Sequence, residues 1–288
     1  MKYRKLIFIV MFLGCSKVNF TTAPVADQQV QAPPAAEVPK PPMPTPPPGS
    51  SPTPAPDCTG TIEKTTQNLR IMFMVDNSGS TFDTDPDQFI RVQTIKNFIK
   101  KYGNKVNFTY SFGFFSSDTY IFNIEAQKFV NIQMKGIPRS VFGNSHDLSQ
   151  ALNIFGRLDG SGDTNYAPAL NAVKDMISQD SLGKSSWNYV LIFMSDGQPS
   201  DISEPVAENL ERKIEQLTKA AENNSRSITV STVLFDPLAN SQYFSSAENL
   251  KAIASSGKGQ FFDTNFPPIG GLAIDDIISV PGKICPKN

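Results

Sequence analysis

The chain has 288 residues, 23 prolines and a formal charge of −1, from 26 Lys and Arg against 27 Asp and Glu. This balance excludes a basic nucleic-acid footprint as the main interaction and leaves no cationic membrane patch in the folding part. Because 13 of the prolines fall within residues 24–56, the folding part is shorter than the chain, and we expect it to form one domain.

The first 14 residues have the pattern of an export signal. Three cations among the first five residues precede eight apolar residues, a run too short for a membrane-spanning helix, which needs about 20. Residues 12–15 resemble the lipobox of bacterial lipoproteins, where the signal is removed before a cysteine that is then lipidated, here Cys15. Phe12 departs from the usual leucine, and a plain secretory signal with an incidental cysteine is the alternative. Cleavage would leave 23 cations against 27 anions, a charge of −4.

Residues 15–57 are predicted to be a disordered tether. Proline at the density of residues 24–56 excludes helix and sheet and favours extended polyproline II, at about 3.1 Å per residue. The segment could therefore hold a globular head on the order of 100 Å from a membrane surface.

Two cysteines, Cys58 and Cys285, remain after Cys15 and bracket the predicted head, residues 58–288. In an exported protein an even number of remaining cysteines suggests a disulfide, which would bring the two ends of the domain together. In the chain-entropy description such a bridge stabilises the fold by roughly 4–5 kcal/mol. The alternative is two unrelated thiols.

Strand and helix patterns alternate along the head. Nearly continuous apolar runs at residues 69–75, 189–194 and 228–235 predict strands buried on both faces, and the alternation from Val106 to Phe114 predicts a strand buried on one face. Helical spacing predicts helices near residues 89–102, 146–158, 170–177 and 206–221, the first with Asp85 as its N-cap. This order predicts an α/β fold, a doubly wound and mostly parallel sheet flanked by helices.

Polar side chains follow two of the buried runs. Asp76, Ser78 and Ser80 come directly after the first run, Asp196 follows the run at residues 189–194, and Thr164 stands just before a predicted helix. In doubly wound sheets the ligand crevice lies beyond the carboxyl ends of the strands. One carboxylate and two hydroxyls from alternate residues of a turn can converge on a point, which predicts a hard-oxygen cation site.

This set resembles the metal-ion-dependent adhesion site of the von Willebrand factor type A domain. The family motif has Asp-x-Ser-x-Ser, a distant threonine and a later aspartate, and its counterparts here are Asp76, Ser78, Ser80, Thr164 and Asp196. The resemblance covers roughly residues 69–278. It implies coordination by hydroxyls and carboxylates, with Mg²⁺ as the first expectation and Mn²⁺ as the second, because softer metals prefer His or Cys. It also implies an open coordination position that an acidic side chain of a protein partner fills.

A second cation site is a further hypothesis. Asp83, Asp85 and Asp87 alternate directly after the metal loop, and acidic residues near this position hold Ca²⁺ in integrin relatives. The stretch lacks the glycine and distal glutamate of an EF-hand loop, and helix capping with solvated charge is the alternative. Asp163 could tune the main site or be an ordinary loop carboxylate.

The residues give no support to catalysis. His146 is the only histidine, and no Gly-x-Ser-x-Gly elbow accompanies it. We therefore expect a protein that is not an enzyme.

The leading hypothesis is a lipid-anchored protein of the bacterial envelope whose head binds an acidic residue of a protein ligand through Mg²⁺, as an adhesin or receptor. The alternative is a periplasmic scaffold or assembly factor that uses the same metal site. Ser16 after Cys15 resembles the sorting preference for the outer membrane.

Overall fold

The computed structural model describes residues 68–180, 187–236 and 242–265. The predicted signal, the tether and all three cysteines lie outside these residues, so the lipidation and disulfide hypotheses stay predictions. Within the described ranges, no helix combines the length and the apolar character that crossing a bilayer requires.

The described residues contain one sheet of seven strands, in the order β4-β3-β2-β1-β5-β6-β7. In chain order the strands are β1 Asn68–Asp76, β2 Phe108–Phe115, β3 Thr119–Asn123, β4 Lys128–Asn131, β5 Trp187–Ser195, β6 Ile228–Leu234 and β7 Lys258–Asp263. The helices are α1 Thr81–Thr84, α2 Phe89–Tyr102, α3 Ile132–Lys135, α4 Ser145–Phe155, α5 Tyr166–Gln179, α6 Val206–Asn223 and α7 Tyr243–Ser256.

Strand pairing confirms the predicted doubly wound, mostly parallel sheet. Strand β1 pairs in parallel with both β2 and β5, β5 pairs in parallel with β6, and β6 with β7. The antiparallel pairs β2–β3 and β3–β4 add one edge that the sequence patterns did not predict. The chain winds outward from β1 through β2 to β4, then returns to the other side of β1 at β5. The crevice at such a reversal lies beyond the carboxyl ends of β1 and β5.

Helices cover both faces of the sheet, which explains the continuous apolar runs. Along β1, Met72 and Met74 join the core formed with α5, α6 and α7. The intervening Ile71 and Phe73 join the core formed with α2 and α4. Because successive side chains point to opposite faces, a central strand between two helical layers must be apolar at nearly every position.

The prediction that residues 106–114 form a strand with one buried face is wrong. Val106 is 98% exposed and precedes the strand, while both faces of β2 are buried. The second face carries Ser111 and Gly113, and a methyl group on Gly113 would lie only 2.9 Å from the carbonyl oxygen of Tyr120 in β3. The alternation of large and small residues therefore reflects close packing and not exposure.

The predicted start of α2 is also wrong. The helix begins at Phe89, and Asp85 ends α1 instead of acting as the N-cap residue of α2. The Asp85 carboxylate nevertheless accepts hydrogen bonds from the backbone N–H groups of Ile90 at 2.9 Å and Arg91 at 3.1 Å. Asp85 thus accepts hydrogen bonds from the first turn of α2 although it lies outside the helix. Its ion pair with the Arg91 guanidinium holds the carboxylate in this position.

Candidate metal centre

The loop after β1 holds Asp76 in a fixed, buried position. Its side chain is fully buried, and one carboxylate oxygen accepts a hydrogen bond of 2.8 Å from the backbone N–H of Ser78. The other oxygen accepts from the hydroxyl of Ser195, the last residue of β5. Asp76 therefore joins the carboxyl ends of two neighbouring strands.

A continuous set of oxygens extends from this loop to Asp196. Ser78 Oγ lies 3.1 Å from Ser80 Oγ, and Ser80 Oγ donates to Asp196 Oδ1 at 3.1 Å. The hydroxyl of Thr84 donates to the second oxygen of Asp196. Ser78 and Asp196 are buried, whereas Ser80 is exposed. The oxygens therefore form a group that opens to solvent on one side.

Thr164 approaches the same group from the loop before α5. A methyl group on Gly197 would lie 3.7 Å from Ser80 Oγ and 3.7 Å from Thr164 Oγ1, so both hydroxyls flank one point beside Gly197. Ser200 fixes the Thr164 backbone, since its N–H donates to the Thr164 carbonyl at 2.8 Å and its hydroxyl accepts from the Thr164 N–H at 3.2 Å. The structure thus gathers all five residues of the predicted metal motif around the carboxyl ends of β1 and β5.

The two carboxylates of the group disfavour each other's charge. Burial, and then the nearby Asp196 carboxylate, raise the pKa of Asp76 to about 7, against hydrogen bonds from Ser195 and Ser78 that lower it. Burial also raises the pKa of Asp196, although the hydroxyls of Thr84 and Ser80 oppose the change. A cation at this point would relieve the unfavourable burial of both negative charges.

We expect the metal-free domain to lose stability as the pH rises from about 4 to about 7. Folded Asp76 keeps its proton up to a pKa of about 7, whereas its ordinary value is 3.8. Between these values the folded chain binds more protons than the unfolded chain, so the free energy of unfolding falls as pH rises. Mg²⁺ competes with this proton, so the Mg²⁺-induced rise in Tm should be larger at about pH 8 than at about pH 5. Thermal unfolding in chelator and in excess Mg²⁺ measures this difference, and equal shifts at the two pH values would contradict the prediction.

Arg91 stabilises the loop after β1 through hydrogen bonds, a role that the sequence patterns did not reveal. Its guanidinium donates to the Asp76 carbonyl at 2.6 Å, to Asn77 Oδ1 at 3.2 Å and to the Asp85 carbonyl at 3.1 Å. Its Nε pairs with Asp85 Oδ2 at 2.9 Å. The guanidinium carbon also lies 5.6 Å and 5.3 Å from the ring centres of Phe155 and Phe235.

This arrangement bears on the hypothesis of a second cation site. Asp85 is buried and its carboxylate is committed to Arg91 and to the start of α2, whereas Asp83 is exposed. The geometry supports the capping alternative, because three hydrogen bonds already engage the Asp85 carboxylate. Asp163 accepts a hydrogen bond of 3.3 Å from Ser117 Oγ, which makes it a loop carboxylate held by the turn between β2 and β3.

Asp201 is a second residue that the sequence patterns did not reveal. Its two carboxylate oxygens accept from the backbone N–H groups of Tyr166 at 2.9 Å and Ala167 at 2.8 Å, the first two residues of α5. The Tyr166 hydroxyl in turn donates to the Gly197 carbonyl at 2.7 Å. These contacts hold the loops of Thr164 and Asp196 together. A Ser-Asp pair soon after a strand end is the available signal, but its partner helix lies 35 residues earlier in the chain.

The donor set fits a hard divalent cation. It consists of hydroxyls and carboxylates, and within the described residues no three His, Cys, Asp or Glu side chains gather as an alternative metal cluster. Mg²⁺ prefers oxygen ligands and usually takes only one or two carboxylates, as here. His146 is exposed and contacts Gln150 on α4, so the structure does not bring it to this site.

The fold and the site define the class of this protein: a doubly wound α/β domain with an oxygen-rich crevice at the reversal of strand order. The family model of the von Willebrand factor type A domain matches residues 71–198. The chain therefore contains a von Willebrand factor type A domain, which confirms the predicted family. Such domains generally mediate protein–protein interactions and commonly bind a divalent metal.

Several solved structures are similar to this chain. A von Willebrand factor type A protein from Catenulispora acidiphila is 13% identical over 68% of this chain and 38% of its own, with a TM-score of 0.47. The PilB minor pilin from Streptococcus sanguinis is 13% identical over 69% of this chain and 58% of its own, with a TM-score of 0.45. Proximal thread matrix protein 1 from the mussel byssus, with a zinc-occupied motif of this type, is 17% identical over 69% and 42%, with a TM-score of 0.43. The chain thus spans less than two thirds of each of these proteins. No curated protein matches it by sequence.

Proposed function

We propose that this protein is a lipid-anchored component of the bacterial envelope whose head binds a protein ligand through an acidic residue at a Mg²⁺ site. The observation that carries the proposal is the convergence of Asp76, Ser78, Ser80 and Asp196, with Thr164 beside them, in a crevice that opens to solvent. The protein acts in this proposal by binding and not by catalysis.

The side chains of such a site would have different roles in holding the metal. Ser78, Ser80 and Thr164 would hold Mg²⁺ through hydroxyls, and Asp76 and Asp196 directly or through water; Mn²⁺ is the second choice. A bound Mg²⁺ supplies an electrophilic position for a carboxylate oxygen, because three of its five protein donors are uncharged. The loop hydrogen bonds keep these donors in place before a ligand arrives, which lowers the ordering cost of binding.

The sequence supports the envelope part of the proposal. The lipobox-like segment ending in Cys15 would supply the anchor, and residues 15–57 the extended tether. Ser16 favours the outer membrane as the destination. The head would then reach a ligand on another surface, as an adhesin or receptor does, or a component of an envelope complex if it faces the periplasm.

A pull-down from envelope extract tests the binding step. We expect the immobilised protein to retain a ligand in Mg²⁺ and to release it in chelator. The Ser80→Ala variant should retain little ligand, because the exposed metal-facing hydroxyl is lost. Ser161→Ala makes the same chemical change at an exposed serine of the adjacent loop and should behave as the unchanged protein. Equal retention in Mg²⁺ and chelator would refute a metal-dependent function.

Protease digestion of intact cells distinguishes the two locations of the head. An adhesin or receptor should be digested without permeabilising the outer membrane. A periplasmic scaffold should resist digestion until the membrane is opened.

Gly197→Ala should weaken metal binding without unfolding the domain. The added methyl would sit 3.7 Å from Ser80 Oγ and from Thr164 Oγ1, an ordinary contact distance for the fold that still occupies space beside the proposed metal position. We expect Mg²⁺ affinity to fall about tenfold, with Tm in chelator within a few degrees of the unchanged protein. Calorimetric titration with Mg²⁺ and thermal unfolding measure the two quantities, and an unchanged affinity would place the metal farther from Gly197.

A further inference from the structure

A second charged cluster lies at the opposite end of the sheet from the metal centre. Arg70 near the start of β1 and Arg226 before β6 both contact Asp180 Oδ2, each at 2.9 Å. The Tyr189 hydroxyl donates to the same oxygen at 2.8 Å. The three charged side chains are at most 5% exposed. Two buried guanidinium groups thus share one carboxylate oxygen.

The cluster has more hydrogen-bond donors than acceptors. Arg70 Nε lies near Asp180 without directing a hydrogen bond at it, and Arg226 Nε and Nη2 have no hydrogen-bond partner among the described residues. A buried donor without an acceptor destabilises the folded state, and a charged donor does so more strongly. An additional anion would therefore be stabilised here.

Arg70 is held in place by aromatic rings. Its guanidinium carbon lies 4.5 Å from the ring centre of Phe142 and 5.3 Å from that of Trp187. Contact with two rings restricts the orientation of the guanidinium plane.

Arg70 lines a cavity of about 340 Å³. Ser140, Gln179 and the exposed Arg139 add hydrogen-bond donors to its lining. Five further lining residues are apolar: Ile137, Pro138, Val141, Phe142 and Met176. Asp180 is the acidic residue among the lining side chains. Among the described lining residues, Arg70 and Arg139 against Asp180 give a net charge of +1, and Arg226 contacts Asp180 from outside this lining. This volume lies at the small end of ligand pockets.

We propose that this cavity is a binding site for a small carboxylate with an apolar body, whose carboxyl group meets Arg70 and Arg139. The positive charge of the lining selects an anion, and the apolar lining residues select a ligand with a hydrocarbon portion over inorganic phosphate. The site does not depend on the metal centre, because Arg70 and Asp76 are six residues apart on β1, which is roughly 20 Å along the strand.

The single tryptophan of the chain makes the proposal measurable. Trp187 lies beside Arg70, so its fluorescence should report an anion that binds there. The full chain is titrated in chelator with hexanoate, hexanamide and inorganic phosphate. We expect a saturable fluorescence change with hexanoate, and binding at least about tenfold weaker for hexanamide and for phosphate. Chelator separates this result from the metal-dependent function, which is inactive under these conditions.

Two variants locate the site. Arg139→Glu reverses an exposed charge at the rim and should weaken hexanoate binding about tenfold with unchanged Tm. Arg70→Met should abolish binding, and its Tm shows whether the domain still folds. The Asp76→Asn variant should bind hexanoate as the unchanged protein does. The proposal is overturned by no saturable response to hexanoate, by an equal response to hexanamide, or by unchanged binding in Arg139→Glu.

Discussion

Asp76→Asn is expected to abolish the stabilisation by Mg²⁺. At pH values above about 7, the same substitution should also raise the Tm of the metal-free domain. The unchanged domain must bury two carboxylates that disfavour each other's charge, and the pKa of Asp76 rises to about 7 as a result. A pKa change of one corresponds to about 1.4 kcal/mol, so the neutral amide should stabilise the metal-free domain by on the order of 1–4 kcal/mol. The same change removes a charged ligand from the metal.

The hydrogen bonds around Asp76 can accept an amide. The asparagine oxygen can take the hydrogen bond from the Ser78 N–H, and its NH₂ group can donate to the Ser195 hydroxyl. Ser195 can then turn its hydrogen toward the Tyr166 hydroxyl, with which it also interacts. The substitution therefore keeps the contacts with Ser78 and Ser195 and changes mainly the charge of the side chain.

Thermal unfolding at about pH 8, with chelator and with excess Mg²⁺, measures both effects. Asp163→Asn is the matched control, because it neutralises an exposed carboxylate of the neighbouring loop. That variant should keep the Mg²⁺ shift and the Tm of the unchanged protein. A lower Tm of metal-free Asp76→Asn would mean that the two carboxylates do not destabilise the empty site.

Arg91→Met is expected to destabilise the domain by about 3–5 kcal/mol, because it leaves the Asp85 carboxylate buried without its ion pair. Arg91 is 1% exposed, and methionine can fill much of the space between Phe155 and Phe235. The loss should therefore come mainly from charge and hydrogen bonding, and less from a cavity. Metal affinity should fall as well, since the Asp76 carbonyl loses its donor.

Urea unfolding in chelator measures the stability, and titration with Mg²⁺ measures the affinity. Lys100→Met on the exposed side of the same helix should change the free energy of unfolding by less than about 0.5 kcal/mol. Adding Asp85→Asn to Arg91→Met should recover part of the loss, because the unpaired charge is then removed. A loss below about 1 kcal/mol for Arg91→Met would show that the buried pair contributes little to stability.

The main strands and the position of the candidate site follow from local patterns. Runs such as residues 69–75 are apolar at nearly every position only where both faces of the strand are covered, so they indicate central strands. Aspartates placed directly after two such runs must meet if the strands are neighbours, and β1 and β5 are neighbours. The resemblance to the family implied this neighbourhood, so Asp76 and Asp196 could be assigned to one site before the structure was known.

The predictions for β2 and for the start of α2 were wrong because of contacts with residues distant in sequence. The alternation of large and small residues in β2 suggested an exposed face, but Ser111 is buried and Gly113 lies against β3. Asp85 before Pro86 has the features of a helix N-cap, yet Arg91 draws its carboxylate into a buried ion pair and α2 begins at Phe89.

Local patterns predicted the family, the alternation of strands and helices, and the side chains of the oxygen-rich crevice, because hydrophobic period and motif spacing are properties of neighbouring residues. Only the tertiary structure showed that Arg91 and Asp201 hold the site loops, that Ser195 and Thr84 contact its carboxylates, and that Arg70 and Arg226 share Asp180. A charged residue in a helix or strand has the same local pattern whether it is solvated or buried. The difference lies in which distant residue it meets after folding, and that meeting sets both its burial and its role.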